Sequence, residues 1–351
     1  MSKKSKIVII IVSYNGQKYW PDLMPTLTQE KYEDFDLEIL VVDNNSKDES
    51  VAHLEENYPQ IKIIKNKENS GFVGANNIGY KYALRNGADF IYLLNQDTVI
   101  GPGFLQPLYN FAKDNSHVGS LQSKLKLWPD KHKINTVGNA IHFLGFGYGM
   151  QSGRVDKEDQ KIEKIAYASG AGVFISMKAL RDMGMLFDET MFLYLEDLDL
   201  GWQLNMLGYD NYVIPDSIIY HKYEFDRSMK NYYWFERNRL WNMIKNYKIA
   251  TLILIFPAWL FMEFGQLFYA IVNGRLKSKI KSYNWLFSKK QWQTLLNKRS
   301  YIQNKRKRSD REVVYSFTGR ILFQPLDSML LRIANFIFNI YWLVVKQIII
   351  W

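Results

Sequence analysis

An alternation between two kinds of apolar segment dominates the first 95 residues of the chain. Four short runs rich in β-branched and aromatic residues have the composition of buried strands: residues 7–13, 37–43, 61–65 and 90–95. Three segments with helical spacing separate them: residues 20–31, 48–57 and 75–85. Strands that alternate with helices predict an α/β fold, with a mostly parallel central sheet and helices on both faces.

Polar side chains stand where three of these predicted strands end. They are Ser13 and Tyr14, Asp43 with the asparagines after it, and the run from Asn95 to Asp97. Ligands of open α/β sheets bind at this carboxyl edge, so these residues are candidates for a binding site. Asp43 has two interpretations: it stabilises a turn, as Asp and Asn commonly do, or its carboxylate binds a nucleotide base.

The segment "LLNQDT" favours a divalent cation near Asp97. Mg²⁺ and Mn²⁺ prefer oxygen ligands and accept one or two carboxylates when a diphosphate completes the shell. His221, at the end of the strand-like "YVIPDSIIYH", is either a structural histidine or a second ligand. We therefore predict a Mg²⁺ or Mn²⁺ site at Asp97, with His221 as the candidate imidazole.

Two further motifs carry open alternatives. "NSGFVGANNIGYKYAL", which contains Gly71 and Asn76, is either a flexible turn into a helix or a place where backbone approaches a ligand. Its glycines do not have the spacing of a dinucleotide-binding fingerprint. "FLYLEDLDLGW" places Glu196, Asp197 and Asp199 among apolar residues. Acidic residues favour the first turn of a helix, but carboxylates near apolar groups are also typical of reactive sites.

Composition narrows the class of protein. The chain has no cysteine, which excludes disulfides, thiol catalysis and cysteine-ligated zinc. The start "MSKKSKIVIIIVSYNG" has the charge of a signal peptide, but its apolar run is short and no small-x-small site follows. We therefore expect a buried first strand and no export. The length of 351 residues predicts two parts, which we place at residues 1–247 and 248–351.

The second part has the features of a helical, membrane-associating appendage. Residues 275–311 contain 13 Lys and Arg but one acid, Asp310, so this segment has a net charge of +12 and the rest of the chain about −2. Residues 249–272 are long and apolar enough to cross a bilayer, although they contain Glu263. In the tail, polar residues fall on one narrow arc of a helix whose other faces are apolar. We expect residues 275–351 to bind an anionic membrane surface, with a docked or buried helix as the alternative.

Taken together, these motifs resemble family 2 glycosyltransferases with a GT-A fold, and especially the bacterial rhamnosyltransferase type. The resemblance covers about residues 6–247 and rests on an ordered set of motifs: "SYNG", "VVDNNSKD", "NSGFVGANNIG", "LLNQDT", "SGAGVFIS", "GMLFDETMFLYLEDLDL" and "YHKYEFDRS…ERNRLW". The resemblance implies a Rossmann-like GT-A fold and an inverting transfer of a sugar from a nucleotide-sugar donor.

The resemblance also implies roles at matching positions. Asp43 contacts the nucleobase, with Ser13 and Tyr14 beside it, and Gly71 and Asn76 lie along the nucleotide. Asn95 and Asp97 match the family's metal- and diphosphate-binding motif. In the family's acidic motif, Asp197 is the general base and Glu196 orients the site. Asp188, Glu189 and Asp199 are expected to support a helix start.

Two departures from the family pattern stand out. Asn95 replaces an aspartate, which implies a weaker dependence on metal. Gln203 stands where related members often have arginine, which removes a leaving-group role from that position.

The predicted function is the transfer of a hexose or deoxyhexose to a lipid-linked saccharide in bacterial cell-surface polysaccharide synthesis. L-Rhamnose from dTDP-rhamnose, or a hexose from UDP, is the predicted donor sugar. We expect the protein to act at the cytoplasmic face of the cell membrane, without nucleic acid, and the sequence leaves open whether it forms a homo-oligomer.

Three alternatives stay open on the sequence alone. One is a polyprenyl-phosphate sugar synthase, whose phosphate acceptor needs little deprotonation. Another is a module that binds nucleotide-sugars without catalysis. The third is a nucleic-acid-binding protein that uses residues 275–311, although no nucleic-acid motif is present.

Overall fold

The computed structural model describes residues 4–223, 231–323 and 329–351. The motif stretch at 224–230 lies outside the described residues. The described residues form a central, mostly parallel sheet with the strand order β10-β12-β6-β11-β4-β1-β2-β3. β5 is paired with β12 and β7 with β6. The strands are β1 Ser5–Ser13, β2 Phe35–Asp43, β3 Lys62–Lys65, β4 Phe90–Asn95, β5 Thr98–Ile100, β6 Val118–Leu127, β7 Ile134–Thr136, β8 Asn139–Ile141, β9 Gly147–Gly149, β10 Glu163–Ile165, β11 Gly172–Ser176 and β12 Asp210–His221.

The helices of the first half cover both faces of this sheet. They are α1 Trp20–Thr28, α2 Ser50–Asn57, α3 Gly71–Arg85, α4 Leu105–Asp114, α5 Met177–Met183 and α6 Glu196–Met206. In β1, Ile7, Ile9 and Ile11 enter the hydrophobic cluster that contains α1 and α4. Val8 and Ile10 enter the opposite cluster, which contains α3 and α5. Because both faces are covered, β1 is apolar at every position from Ile7 to Val12 rather than at alternate ones.

The direction of the strands brings one set of ends together. β1, β2, β3 and β4 run parallel to one another. β11 runs antiparallel to both β4 and β6, so β6 and its parallel partner β12 share the direction of β4. The carboxyl ends of β1, β2, β4, β6 and β12 therefore meet at one edge. The α/β architecture predicted from the sequence is confirmed.

Helices continue through the rest of the chain: α7 Tyr232–Asn246, α8 Ile249–Val272, α9 Leu276–Leu286, α10 Lys289–Lys305, α11 Asp310–Val313 and α12 Met329–Ile348. They pack on the body through a third hydrophobic cluster. In that cluster Phe143 stacks on Trp342 with ring centroids 4.7 Å apart. Trp202 of α6 packs against Phe317 at 4.9 Å. The C-terminal helices thus share a core with the helix that begins at the acidic motif.

Buried charges join three of these helices. Arg239 of α7 bonds to Glu236 at 3.0 Å and also to Glu263 of α8. Lys279 of α9 bonds to Glu263 at 2.7 Å and to Glu236. All four residues are buried. Glu263, the acid inside the long apolar helix, is therefore directed toward the protein interior, where two cations neutralise it.

Candidate active site

The carboxyl ends of β1, β2 and β4 bring the first three predicted site regions together. Ser13 of β1 is in register with Asp43 of β2, and Val12 is in register with Asn95 of β4. Ser13 and Asp43 are both buried, at 1% and 5% exposure. Among the described residues the hydroxyl of Ser13 has no hydrogen-bond partner, so it is available to a ligand at this edge.

Short hydrogen bonds hold the loops at this edge in place. The backbone N–H of Tyr14 donates to Gln96 Oε1 at 3.0 Å, and Gln96 Nε2 donates back to the Tyr14 carbonyl at 3.2 Å. Ser46 donates its backbone N–H to the Asp43 carboxylate at 3.3 Å. Tyr14 itself is exposed, so its ring forms part of the open side of the edge.

Asn44 organises the Gly-rich loop, a role that the sequence analysis did not predict. Its Nδ2 donates to Asn69 Oδ1 at 2.8 Å and to the Gly71 carbonyl at 3.1 Å. Its Oδ1 accepts from the Ser70 backbone N–H at 3.0 Å and from Asn66 Nδ2 at 3.1 Å. A buried asparagine beside a strand end was the available signal, because its amide must be satisfied by something nearby.

Gly71 starts α3 against the acidic segment. Its φ is +74°, and a Cβ at this position would lie 2.4 Å from the Phe192 carbonyl oxygen, so only glycine fits. The Val73 N–H donates to that same carbonyl at 3.3 Å. Asn76 lies one turn further on, buried, with its amide donating to the Phe72 carbonyl at 2.9 Å. The loop that precedes Glu196 is therefore fixed against the helix that begins at Gly71.

Asp97 and His221 lie side by side. His221 Nε2 is 3.4 Å from Asp97 Oδ1, and both residues are 7% exposed. His221 Nδ1 lies 2.9 Å from Asn135 Oδ1. The Nδ1 contact fixes the orientation of the ring, so that Nε2 faces Asp97. One carboxylate and one imidazole fit a divalent cation whose remaining ligands come from a diphosphate.

Glu196 and Asp197 begin α6, and they reach the same edge through Gly170. The Gly170 N–H donates to Asp197 Oδ2 at 3.1 Å, and the Leu198 N–H donates to Oδ1 at 2.8 Å. The neighbouring Ala171 carbonyl accepts the N–H of Asn95 at 3.1 Å. The acidic pair therefore lies next to the end of β4 in three dimensions, although about a hundred residues separate them in the sequence.

Burial dominates the electrostatics of this pair. Burial raises the pKa of Glu196 well above its usual value, and the charge of Asp197 raises it further. Burial also raises the pKa of Asp197, although the N–H groups of Gly170 and Leu198 act in the opposite direction. Because the pKa of Glu196 rises further above its usual value, Asp197 is the first of the two to lose its proton as the pH rises. Asp197 is thus the carboxylate that can accept a proton.

The segment just before this pair has strained backbone. Tyr194 and Leu195 have φ of +70° and +62°, and neither is glycine. Such left-handed conformations cost about 1–3 kcal/mol each, so surrounding contacts must offset them. The contacts come from α7: Asn238 Nδ2 donates to the Leu193 and Tyr194 carbonyls at 2.9 and 2.8 Å, and Asn242 Nδ2 donates to the Leu195 carbonyl at 3.0 Å.

The remaining acids of the motif have other partners. Lys245 Nζ bonds to Asp188 at 2.8 Å and to Asp199 at 2.7 Å, with all three residues buried. Asp188 and Glu189 lie between α5 and α6, not at a helix start, so the expectation that they support one is wrong. Glu189 pairs with Lys81 at the surface.

Gln203 is buried beside the same acids. Its Nε2 donates to Asp199 at 2.7 Å. The amide therefore bonds to a buried carboxylate of the protein.

Comparison with known proteins identifies the class. The model of the family described as "Glycosyl transferase family 2" matches residues 8–184, half of the chain. The chain therefore belongs to glycosyl transferase family 2, and it is a glycosyltransferase.

Its relatives include two rhamnosyltransferases. The N-acetylglucosaminyl-diphospho-decaprenol L-rhamnosyltransferase of Mycobacterium tuberculosis is 23% identical over 204 residues, which is 52% of this chain and 66% of that protein. The dTDP-rhamnosyl transferase RfbF of Shigella flexneri is 26% identical over 231 residues, which is 64% of this chain and 72% of that protein. An uncharacterized glycosyltransferase of Haemophilus influenzae is 29% identical, but the match spans 38% of its length.

Solved structures share the fold. The S. aureus protein TarS, residues 1–349, in complex with UDP-GlcNAc has a TM-score of 0.52 and 17% identity, over 97% of this chain and 90% of that one. GalNAc-T7 with UDP, GalNAc and Mn²⁺ has a TM-score of 0.54 and 13% identity, over 70% of this chain and 48% of that one. At this identity the likeness establishes a GT-A glycosyltransferase fold.

Proposed function

We propose that the protein is an inverting glycosyltransferase that moves a sugar from a nucleoside diphosphate to the hydroxyl of a lipid-linked saccharide. The observation that carries the proposal is the position of Asp197, a carboxylate with raised pKa at the strand edge that also holds Asp43 and Asp97. The donor class rests on the rhamnosyltransferase relatives, which favour L-rhamnose from dTDP-rhamnose over a hexose from UDP.

In this mechanism Asp43 and the Ser13–Tyr14 loop bind the nucleoside, and Asp97 with His221 would hold a divalent cation against the diphosphate. When bound, the cation stabilises negative charge on the leaving diphosphate. Asp197 takes the proton from the acceptor hydroxyl. The hydroxyl oxygen of the acceptor attacks the anomeric carbon from the face opposite the diphosphate, which leaves. Glu196 stays protonated in this mechanism, so the carboxylate of Asp197 is the one negative charge of the pair beside the acceptor.

Calorimetric binding of UDP, dTDP and GDP tests the donor site, with and without Mn²⁺ or Mg²⁺. We expect metal-dependent binding of one diphosphate in the wild type and at least tenfold weaker binding in Asp97→Ala. Asp89→Ala is the control, because Asp89 precedes β4 at the opposite edge of the sheet. If none of the three nucleotides binds at millimolar concentration with either metal, the assignment of Asp43 and Asp97 is wrong.

We also propose that the outer faces of α8 and α12 form the membrane contact. Among the described residues, α8 is the one helix long and apolar enough to cross a bilayer, and 22% of its most apolar window is buried. Phe264 and Phe268 on α8 and Phe336 on α12 are each about two-thirds exposed. Phe261 contacts Phe338 across the two helices at 5.9 Å, so the exposed apolar faces adjoin. A surface of this kind is typical of monotopic attachment.

Polar residues of α12 contact the protein beside its buried apolar residues. Asn335 accepts from the Ile321 N–H at 2.7 Å and donates to the Ile321 carbonyl at 2.8 Å. Lys346 donates to the Tyr315 carbonyl. α12 therefore has apolar residues on two sides: Phe338, Trp342 and Val345 are buried against the body, whereas Phe336, Leu343 and Val344 are exposed.

Much of the basic charge of residues 275–311 is used inside the molecule. Lys279 and Lys298 bond to buried acids, and Arg308 bonds to Asp210 at 2.8 Å. Exposed basic residues are fewer than the sequence suggests, and they include Lys277, Lys281, Lys289 and Lys290. The apolar surface, supplemented by these lysines, is therefore our proposed membrane contact.

Vesicle co-sedimentation tests this contact. Phe264→Glu combined with Phe336→Glu should reduce binding to vesicles of phosphatidylcholine and phosphatidylglycerol at least tenfold. Leu84→Glu combined with Ile162→Glu is the matched control, because both residues are exposed and apolar but lie away from α8 and α12. Equal binding of the two double variants would contradict the assignment of the surface.

A further inference from the structure

Three asparagines form a line along α7 that faces the acidic motif. Asn238, Asn242 and Asn246 are spaced four residues apart, so they share one face of the helix. Each is buried, at 1%, 0% and 0% exposure. A buried line of amides on a helix that faces a core has no packing rationale, because apolar side chains would serve there without the need to satisfy polar groups.

Each amide in this line holds a successive part of residues 193–199. Asn238 donates to the Leu193 and Tyr194 carbonyls, and Asn242 to the Leu195 carbonyl, as described above. Asn246 donates to Asp199 Oδ1 at 2.8 Å. The line therefore follows the chain through its left-handed turn and into the first turn of α6, past Glu196 and Asp197.

The residues of the Tyr194–Leu195 turn do not by themselves stabilise its left-handed conformation. Leu195 is the N-cap residue of α6, and its apolar side chain makes no capping hydrogen bond to the first turn of that helix. A left-handed conformation at two consecutive non-glycine residues persists only where neighbouring structure imposes it. Other α7 side chains bind the residues that precede this turn: Arg237 Nη2 donates to the Thr190 carbonyl at 2.9 Å, and Trp241 Nε1 donates to Asp188 at 2.9 Å.

We propose that Asn238 and Asn242 are positioning residues, which impose the left-handed turn at Tyr194–Leu195 and thereby fix the direction in which Asp197 faces the acceptor. Neither side chain touches substrate in this proposal, because both are buried behind the turn. The inference rests on the proposed function for the role of Asp197, but the contact of the asparagines with the turn stands by itself.

The geometric consequence is specific. A change of φ at Tyr194 or Leu195 toward the ordinary region would rotate the first turn of α6 and separate Asp197 from the Gly170 N–H. Binding of the nucleotide would persist, because Asp43 and Asp97 lie on β2 and the β4–β5 connection, which α7 does not hold through these asparagines. Loss of an asparagine should therefore lower kcat and leave the affinity for the nucleotide unchanged.

The test uses Asn238→Asp and Asn242→Asp, which preserve shape but replace the donating amide with an accepting carboxylate, and Asn238→Ala as a second variant. Asn211→Asp is the matched control. Asn211 is also buried, and its Nδ2 also donates to two backbone carbonyls, those of Ala166 and Gly201, at 3.0 and 2.9 Å. It loses an equivalent pair of hydrogen bonds away from the turn.

Two measurements decide the proposal. Hydrogen–deuterium exchange of the full-length protein should be at least tenfold faster in peptides that cover residues 192–200 of the Asn238 and Asn242 variants, and unchanged in peptides from α4, which lies on the opposite face of the sheet. Kinetics should show kcat lowered 10- to 100-fold, with the dissociation constant of the nucleoside diphosphate within threefold of wild type. The donor is whichever of dTDP-rhamnose, UDP-glucose and UDP-N-acetylglucosamine the wild type consumes with a detergent-solubilised lipid-linked saccharide.

The outcomes separate this proposal from the proposed function. Unchanged exchange at 192–200, or a kcat of the folded variants within threefold of wild type, overturns the positioning role. So does an equal loss of kcat in folded Asn211→Asp, since that result assigns the loss to general destabilisation. If the wild type consumes none of the three donors, the proposed function is in doubt, while the exchange measurement still decides whether the asparagines hold the turn.

Discussion

Two pairs of carboxylates in one short stretch of chain have opposite surroundings. Asp188 and Asp199 are buried against Lys245, and Asp188 also bonds to Lys298 at 2.7 Å. Glu196 and Asp197 are enclosed too, but basic side chains do not lie among their described partners. Burial alone would raise the pKa of Asp188, yet the charges of Lys245 and Lys298 outweigh it and lower that pKa.

The comparison shows how the chain separates structural from reactive acids. A carboxylate with a cation beside it is held ionised and inert, whereas one that is buried without a cation has a raised pKa and a greater tendency to bind a proton. Both pairs consist of carboxylic side chains. What differs is the position of Lys245 on α7, 46 residues along the chain from Asp199.

The largest effect is expected from Asp197→Asn. General-base catalysis contributes about 10²- to 10⁴-fold, so kcat should fall by that amount while the nucleoside diphosphate still binds with wild-type affinity. Steady-state kinetics and calorimetry measure the two quantities, and the unfolding midpoint checks that the variant folds. A variant that keeps most of its kcat would mean that the acceptor arrives already ionised, as a polyprenyl phosphate does.

Lys245→Met tests the contribution of Lys245 to stability through Asp188 and Asp199. The substitution leaves Asp199 as a buried charge without its cation and removes one of two cations from Asp188. Breaking a buried pair in this way costs about 3–5 kcal/mol in the free energy of unfolding. Urea denaturation measures it. The triple variant with Asp188→Asn and Asp199→Asn should recover much of the loss, and an equally unstable triple variant would place the effect in packing rather than in charge.

Glu196→Gln tests the protonated partner through the pH dependence of stability. Folding raises the pKa of Glu196. Below the unfolded pKa of about 4.3 the group is protonated in both the folded and the unfolded state, and burial then carries no penalty for a charge. Stability is lost as the pH rises toward the folded pKa. The glutamine variant should therefore have a higher unfolding midpoint than wild type at pH 8 and the same midpoint at pH 4.

The activity of Glu196→Gln completes this test. Glutamine keeps a neutral hydrogen-bonding group, so kcat should stay within about tenfold of wild type, far above that of Asp197→Asn. If Glu196→Gln loses as much activity as Asp197→Asn, the assignment of the two protonation states is reversed.

The sequence predicted the strands of the central sheet and the polar residues at their ends. Continuous apolar runs with polar ends located β1, β2 and β4 and the carboxylates beyond them, because a strand buried on both faces leaves that pattern. The start of α3 was placed four residues late, at 75 rather than Gly71, since glycines with low helix propensity form its first turn.

The partners could not be predicted from the sequence. Lys245 pairs with Asp188 across 57 residues, and Asn238 contacts Leu193 across 45. A helical period in the sequence would not reveal which face of α7 meets the acidic motif. The left-handed turn at Tyr194 was also hidden, because tyrosine and leucine carry no local preference for that conformation.

The smallest effect on stability is expected at Glu189, the residue after Asp188. Glu189 pairs with Lys81 at 3.1 Å, but both side chains are more than half exposed. Exposed ion pairs contribute about 0–1 kcal/mol, since water screens the charges and the long side chains lose entropy. Lys81→Met should therefore change the free energy of unfolding by less than about 1 kcal/mol, measured by the same urea denaturation as Lys245→Met. A loss as large as that of Lys245→Met would show that burial is not what distinguishes these adjacent acids.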